Sequence, residues 1–172
     1  MDFVTLAKQR CSIRSYTDQK VEPEKLEKIL AAAQAAPSAK NAQPTRLLVL
    51  QSEEALGKVA KAARTYNAPL VIIALADVNE AWVRPYDQMI SDDIDASIVT
   101  DHMMLAATEQ GLGSVWICYF DPSVLKEEFA IPENLKPVNI LAIGYPNGPV
   151  KSAERHATER KPLSETVFYD HL

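Results

Sequence analysis

The chain has 172 residues, of which 47% are hydrophobic and 24% charged, and 18 basic against 23 acidic side chains leave a formal net charge of −5. That make-up fits one globular domain with a real core (residues 1–172) and excludes a disordered chain, while the acidic balance leaves no general basic face for nucleic acid. No apolar run reaches the length of a membrane span, the start Met1-Asp2-Phe3-Val4-Thr5 is no signal peptide, and Cys11 and Cys118 with three scattered histidines give neither a disulfide framework nor metal-ligand spacing, so a metal-free cytoplasmic protein is expected.

In chain order, Phe3 to about Arg10 reads as a short helix with Asp2 as N-cap. Arg10-Cys11-Ser12-Ile13-Arg14-Ser15-Tyr16 follows, two guanidinium groups bracketing a hydroxyl. The arginine fork suits a phosphate and serine adds a donor of low bulk, so the stretch is either a phosphate cradle for a cofactor or a solvated charged turn. Pro23 opens a one-sided helix through Leu26, Ile29, Leu30 and Ala33, closed by Pro37. Pro37-Ser38-Ala39-Lys40-Asn41-Ala42-Gln43-Pro44 is a loop with a proline at each end. Ser38, Asn41 and Gln43 there are either ligand contacts or the caps of a well-made turn.

Arg46–Leu50 is a short apolar strand, and Ser52-Glu53-Glu54 opens a helix to about Ala63. Leu70–Ala76 is continuously apolar and so covered on both faces. The segment from Asp77 to Asp92 is an irregular excursion. From about Ile94 to Gln110 runs a helix apolar nearly all round, which its own domain, a partner subunit or both must bury, with Gly111 closing it. Gly113–Phe120 reads as a strand, Asp121-Pro122-Ser123 starts a short helix, and Val138–Gly144 is the last strand. Beyond it lie a basic segment (Lys151, Arg155, Arg160, Lys161) and an apolar tail, Val167-Phe168-Tyr169, that should dock on something. Four strands interleaved with helices make a single helix-covered sheet, α+β or α/β.

No nucleophile–base set, phosphate loop ending in Gly-Lys-Ser/Thr, or Gly-x-Gly-x-x-Gly fingerprint is present; Gly111-Leu112-Gly113 follows a helix instead of a strand. A phosphate cradle without catalytic side chains points to chemistry carried by a bound cofactor. Four motifs in order, Arg10-x-Ser12-x-Arg14, Pro37-Ser38-x-x-Asn41-x-Gln43-Pro44, Ala106-Ala107-Thr108-Glu109-x-Gly111-Leu112-Gly113-Ser114-x-Trp116-Ile117, and Gly144-Tyr145-Pro146 with Arg160-Lys161-Pro162-Leu163-Ser164-Glu165, resemble the FMN-dependent nitroreductase family from the first helix almost to the C-terminus.

That resemblance implies an α+β fold with a mostly antiparallel central sheet, its long helix buried at the core of a homodimer with two interfacial FMN sites. Arg10, Ser12, Arg14 and Arg160 would hold the FMN phosphate and ribityl oxygens. Pro37, Ser38, Asn41 and Gln43 would belong to the loop approaching the flavin from the partner subunit. Trp116, Ile117, Cys118 and Tyr119 would lie along the isoalloxazine, with a backbone N–H near Cys118 aimed at N5, and Arg14 or Arg64 would serve near N1/O2. Donors and positive charge there favour the anion of reduced flavin. The implied activity is ping-pong: NAD(P)H gives hydride to flavin N5, with no catalytic side chain required, and a nitroaromatic, quinone or similar acceptor then takes the electrons. A flavin-binding or sensing module with little turnover, and a dehalogenating or flavin-modifying relative, are the alternatives. The chain departs from the family at Thr45, often aromatic there, at Cys118, commonly Gly, and in a reduced Asp77–Asp92 segment that would leave a more open pocket and loose specificity.

Overall fold

The computed structural model describes residues 1–171. Its helices are α1 (Phe3–Gln9), α2 (Pro23–Ala35), α3 (Glu53–Ala62), α4 (Asp92–Glu109) and α5 (Pro122–Phe129), and its strands β1 (Thr45–Leu50), β2 (Leu70–Asp77), β3 (Gly113–Ile117) and β4 (Leu135–Gly144). The strands form one sheet in the order β1-β2-β4-β3, and every pairing is antiparallel. This is the α+β alternative, with a three-layer cross-section. Along β2, Leu70 and Ile72 face α2 and α4, where they meet Ile29, Val99 and Met103. Val71, Ile73 and Leu75 face the other way, toward Val59 of α3 and Leu125 of α5. Two covered faces explain why β2 is an unbroken apolar run instead of an alternating one.

Local chemistry sets the helix ends. Asp2 accepts the Thr5 N–H at 3.1 Å, Ser52 accepts from Ala55, and Asp121 accepts from Ser123 and Val124, each satisfying donors that a first turn leaves free. Gly111, just past the Gln110 cap of α4, has a φ of 74° that lets Leu112 N–H return to the Ala107 carbonyl at 2.9 Å. The Lys25 ammonium, from α2, donates to the Gln110 carbonyl at 2.9 Å, on the negative end of the α4 dipole.

Three boundaries differ by two residues or more from the sequence reading. Strand β3 stops at Ile117, opposite Ile140, so Cys118 and Tyr119 leave the sheet. The next rung would meet Asn139, where β4 approaches its irregularity against β2 between Ala74 and Leu75. Strand β4 begins earlier than expected, at Leu135. Pro137 is tolerated because β3 no longer pairs there, which frees that side of β4 from supplying an N–H. Helix α4 starts two residues early, at Asp92, through an acidic first turn. The Asp77–Asp92 segment is irregular as expected, with an isolated bridge between Val83 and Ile90.

One face of α4 is buried against the sheet and α2, yet Ile94 is exposed and Ile98 and Leu105, at helical spacing along the same side, are only half-buried. Val167, Phe168 and Tyr169 are all exposed too. Among the described residues, the tail joins neither apolar cluster.

Tyr16 ties the segment after α1 into this frame. Its buried hydroxyl donates to the Ile13 carbonyl at 2.8 Å and toward the Ala142 carbonyl of β4 at 3.1 Å. Burial raises the phenol well above its ordinary value, with Tyr66 adding to the rise and nearby Arg14 opposing it. The native state therefore keeps this proton longer than the unfolded chain does. The contribution is complete below about pH 10, the unfolded value, and is lost as pH rises toward the native one. Tyr16→Phe is expected to cost about 1 kcal/mol at neutral pH. It should also flatten the alkaline loss of stability, read as the difference in urea midpoint between about pH 8 and about pH 11.

Candidate functional site

The Arg10–Ser15 stretch is held to the free edge of β3. Ser12 bridges Ser114 in parallel, and the Ile13 N–H donates to the Ser114 carbonyl at 2.9 Å. The approach is possible because Gly113 has no Cβ: one built there would stand 2.5 Å from Ile13 Cγ1. Extended backbone then alternates its side chains. Cys11 is buried, Ile13 is half-buried, and Ser12 and Arg14 are exposed, with Arg10 half-buried at the end of α1.

Three clefts meet along this stretch. One of ≈310 Å³ is lined by Arg10, Cys11, Gly111, Gly113 and Lys151, and one of ≈240 Å³ by Ser12, Arg14, Asn147, Gly148 and Lys151. A third, of ≈630 Å³, brings Arg14 together with Arg64, Tyr66 and Asn67, and Arg64 stands 5.0 Å over the Tyr66 ring. Among the described residues, the guanidinium groups of Arg10 and Arg14 meet no carboxylate and the Ser12 hydroxyl has no partner. Beneath them the buried Ser114 Oγ is also unpartnered. Unneutralised forked cations beside unused hydroxyls are the donor set a phosphomonoester requires.

The C-terminal segment completes this edge in a way the sequence did not reveal. Arg155 donates to the carbonyls of Arg10 and, at 2.7 Å, Ser152, so its guanidinium is spent on backbone. His156 Nε2 pairs with the Lys8 carbonyl at 3.1 Å. Lys151 is the C-terminal cation that lines both clefts beside Ser12 and Arg10. Arg160 lies exposed, its Nε 3.4 Å from His156 Nδ1, and lines neither cleft. Nothing in a polar run distinguishes Lys151 from its neighbours; the turn at 145–150 decides which cation reaches the site.

The second polar cluster is at the opposite edge of the sheet. Pro37 ends α2, and the following loop contains a single 3₁₀ turn, Ala39–Asn41. Lys40, Asn41 and Gln43 all have left-handed φ, between 51° and 53°. Outside glycine this costs on the order of 1 kcal/mol each, with Asn the most tolerant. Ser38 Oγ accepts the Gln43 N–H at 2.9 Å and keeps its own proton free to donate. Arg46 donates to the Gln43 carbonyl at 2.9 Å, and the Ala39 N–H to Asp95 at 2.9 Å. The loop borders a cleft of ≈320 Å³ with apolar walls from Leu30, Ala33, Leu47 and Val99. The loop leads into β1, and the Arg10–Ser15 stretch lies outside β3 at the far edge of the sheet, a span of about 19 Å at roughly 4.8 Å per strand.

At the end of β3 the side chains part. Ile117 turns into the α3–α5 core, so only its backbone is available to a ligand. Trp116 packs half-buried on the α2–α4 side. Cys118 is exposed and Tyr119 is 95% exposed, both beyond the last rung. Among the described residues, no helix is long and apolar enough to cross a membrane.

The description of the nitroreductase family matches residues 7–65 and 58–145. The crystal structure of a nitroreductase family protein from Clostridium difficile 630 is 54% identical over the whole of both chains, with a TM-score of 0.98. An FMN-dependent nitroreductase from Clostridium difficile R20291 is 30% identical, covers 99% of this chain and 100% of its own, and has a TM-score of 0.82. The FMN reductase (NAD(P)H) of Bacillus subtilis strain 168 is 31% identical over 175 residues, 91% of this chain and 68% of the relative.

Proposed function

The chain belongs to the nitroreductase family, and from that premise we propose that it is an FMN-dependent oxidoreductase, working as a homodimer, that passes electrons from NAD(P)H to nitroaromatic, quinone or similar acceptors. The observation that carries the reading is the uncommitted set of Arg10, Ser12 and Arg14, held in place on β3 by the Ser12–Ser114 bridge. Arg10, Arg14 and Lys151 would bind the FMN phosphate, with Ser12 donating to the adjacent ribityl oxygens. The Arg14–Arg64 cleft would favour negative charge at the pyrimidine end of the ring. Bound FMN supplies the hydride-accepting centre that no side chain of this protein provides.

A dimer would complete the site by bringing Ser38, Asn41 and Gln43 of one chain against the arginine edge of the other. The Ile94, Ile98 and Leu105 stripe on α4 and the bare tail Val167–Tyr169 supply the apolar surface such a dimer would cover. Exposed Cys118 and Tyr119, with the short Asp77–Asp92 segment, support an open acceptor side and loose specificity.

The test is a visible spectrum of the protein loaded with FMN, followed anaerobically on adding NADH or NADPH. Bleaching that reverses on adding a nitroaromatic or quinone is expected. Flavin that binds but stays oxidised would leave only a binding or sensing role, and no flavin binding would remove the cofactor assignment altogether.

A further inference from the structure

Asp95 is 1% exposed, and among the described residues no cation pairs with it. It lies on the face of α4 that carries Val99 and Met103, a carboxylate on an apolar stripe. Its Oδ1 accepts the Ala39 N–H at 2.9 Å and its Oδ2 accepts the Ser91 hydroxyl at 2.7 Å. Ser91 in turn donates its backbone N–H to the Trp82 carbonyl at 2.9 Å. One buried side chain thus joins the Pro37–Pro44 loop to the Asp77–Asp92 segment through the first turn of α4.

We infer that Asp95 is a positioning residue: it holds the Pro37–Pro44 loop in its strained form, and thereby presents Ser38, Asn41 and Gln43 to the flavin. The inference rests on the FMN reading proposed above. A loop with three left-handed non-glycine residues relaxes unless its surroundings over-determine it. It has three further tethers: those through Ser38 and Arg46 are exposed, where water competes for both partners, and the third, the Asp77 N–H to the Pro44 carbonyl at 2.8 Å, holds only the loop's last residue. The Asp95 tether is the one that reaches the turn itself from a fully buried acceptor, and a carboxylate accepting a backbone N–H in such a place is a strong hydrogen bond. Fixing Ala39 fixes the turn that follows it, because Asn41 N–H and Ala42 N–H close back onto Ser38 and Ala39 at 3.0 Å each.

Three variants of the full chain separate positioning from mere support. Asp95→Ala is expected to release the Ala39 amide to rapid hydrogen exchange and to weaken FMN binding about tenfold, the effect of one lost buried hydrogen bond. Asp95→Asn should rescue both, since the amide oxygen can accept from Ala39 and its NH₂ can donate to Ser91. Ser91→Ala should lower the melting temperature while leaving Ala39 exchange and FMN affinity near wild type. If Asp95→Ala keeps both Ala39 protection and FMN affinity, or if Asp95→Asn fails as Ala does, the inference is overturned. Should Asp95→Ala not fold, the wild-type chain decides. There Ala39 must exchange more slowly than Gln43, whose tether is exposed, and the reverse order would overturn it. A wild-type protein that binds no FMN would sink the cofactor reading, and Ala39 exchange alone would then judge the tether.

Discussion

Removing both guanidinium groups that flank Ser12, in an Arg10→Ala/Arg14→Ala variant, is expected to weaken FMN binding by roughly 10²- to 10⁴-fold. The magnitude follows from about 1.5–3 kcal/mol for each charge-assisted bond to a phosphate, at about 1.4 kcal/mol per tenfold. The variant should fold normally. The carbonyl that Arg155 clasps belongs to the Arg10 backbone and survives the substitution, and neither guanidinium pairs with a carboxylate among the described residues. A melting temperature within a few degrees of wild type is therefore expected, as for other surface changes. Lysines at both positions should recover part of the affinity, since charge returns without the planar fork. FMN titration, by quenching of flavin fluorescence, reads both outcomes. A loss of threefold or less would remove these arginines from the phosphate site.

The second large effect is at Gly113. Alanine there would set its Cβ 2.5 Å from Ile13 Cγ1, 2.9 Å from Ile13 Cβ and 3.0 Å from Pro146 Cγ. The contact with Ile13 Cβ is fixed by the main chain of the Arg10–Ser15 stretch, so a rotamer change cannot relieve it. The stretch must lift from β3 and give up the Ile13-to-Ser114 hydrogen bond. Gly113→Ala is expected to cost about 1–3 kcal/mol as overpacking, and FMN affinity should fall with it. Gly111→Ala makes the control. Gly111 has a φ of 74° but no atom within 4 Å of an added Cβ, so its cost is backbone strain of about 1 kcal/mol with the Arg10–Ser15 stretch undisturbed. Urea unfolding and FMN titration of the pair should show stability lost in both and binding lost only in Gly113→Ala. Equal binding in the two would mean that the close approach of Ile13 to β3 does not hold the site.

These residues also mark how far the sequence alone reaches. Helices and strands were legible where periodicity and punctuation agree: Pro23 and Pro37 bracket α2, Ser52 and Asp121 cap their helices, and the unbroken run of β2 announces two covered faces. The end of β3 and the start of β4 were not, because pairing there changes around the irregularity near Asn139, which no local pattern encodes. The Gly111-Leu112-Gly113 pair was identifiable as something other than a dinucleotide loop, yet its two glycines have unrelated duties, one conformational and one steric, and only the packed structure separates them. Asp95 left a signal that went unused. It falls four and eight residues before Val99 and Met103, on the buried stripe, but among Asp92 and Asp93 it passes for another acid of an N-terminal turn. Lys151 left none.

The separation of the two polar clusters by the width of the sheet has a consequence for how the protein is loaded. On the reading proposed here, neither edge of a lone chain offers a full set of donors, so association of chains and uptake of cofactor are a single linked equilibrium. Dilution then strips flavin as surely as removing flavin loosens the dimer, and the fraction of active protein depends on the concentration of the protein as well as that of its cofactor.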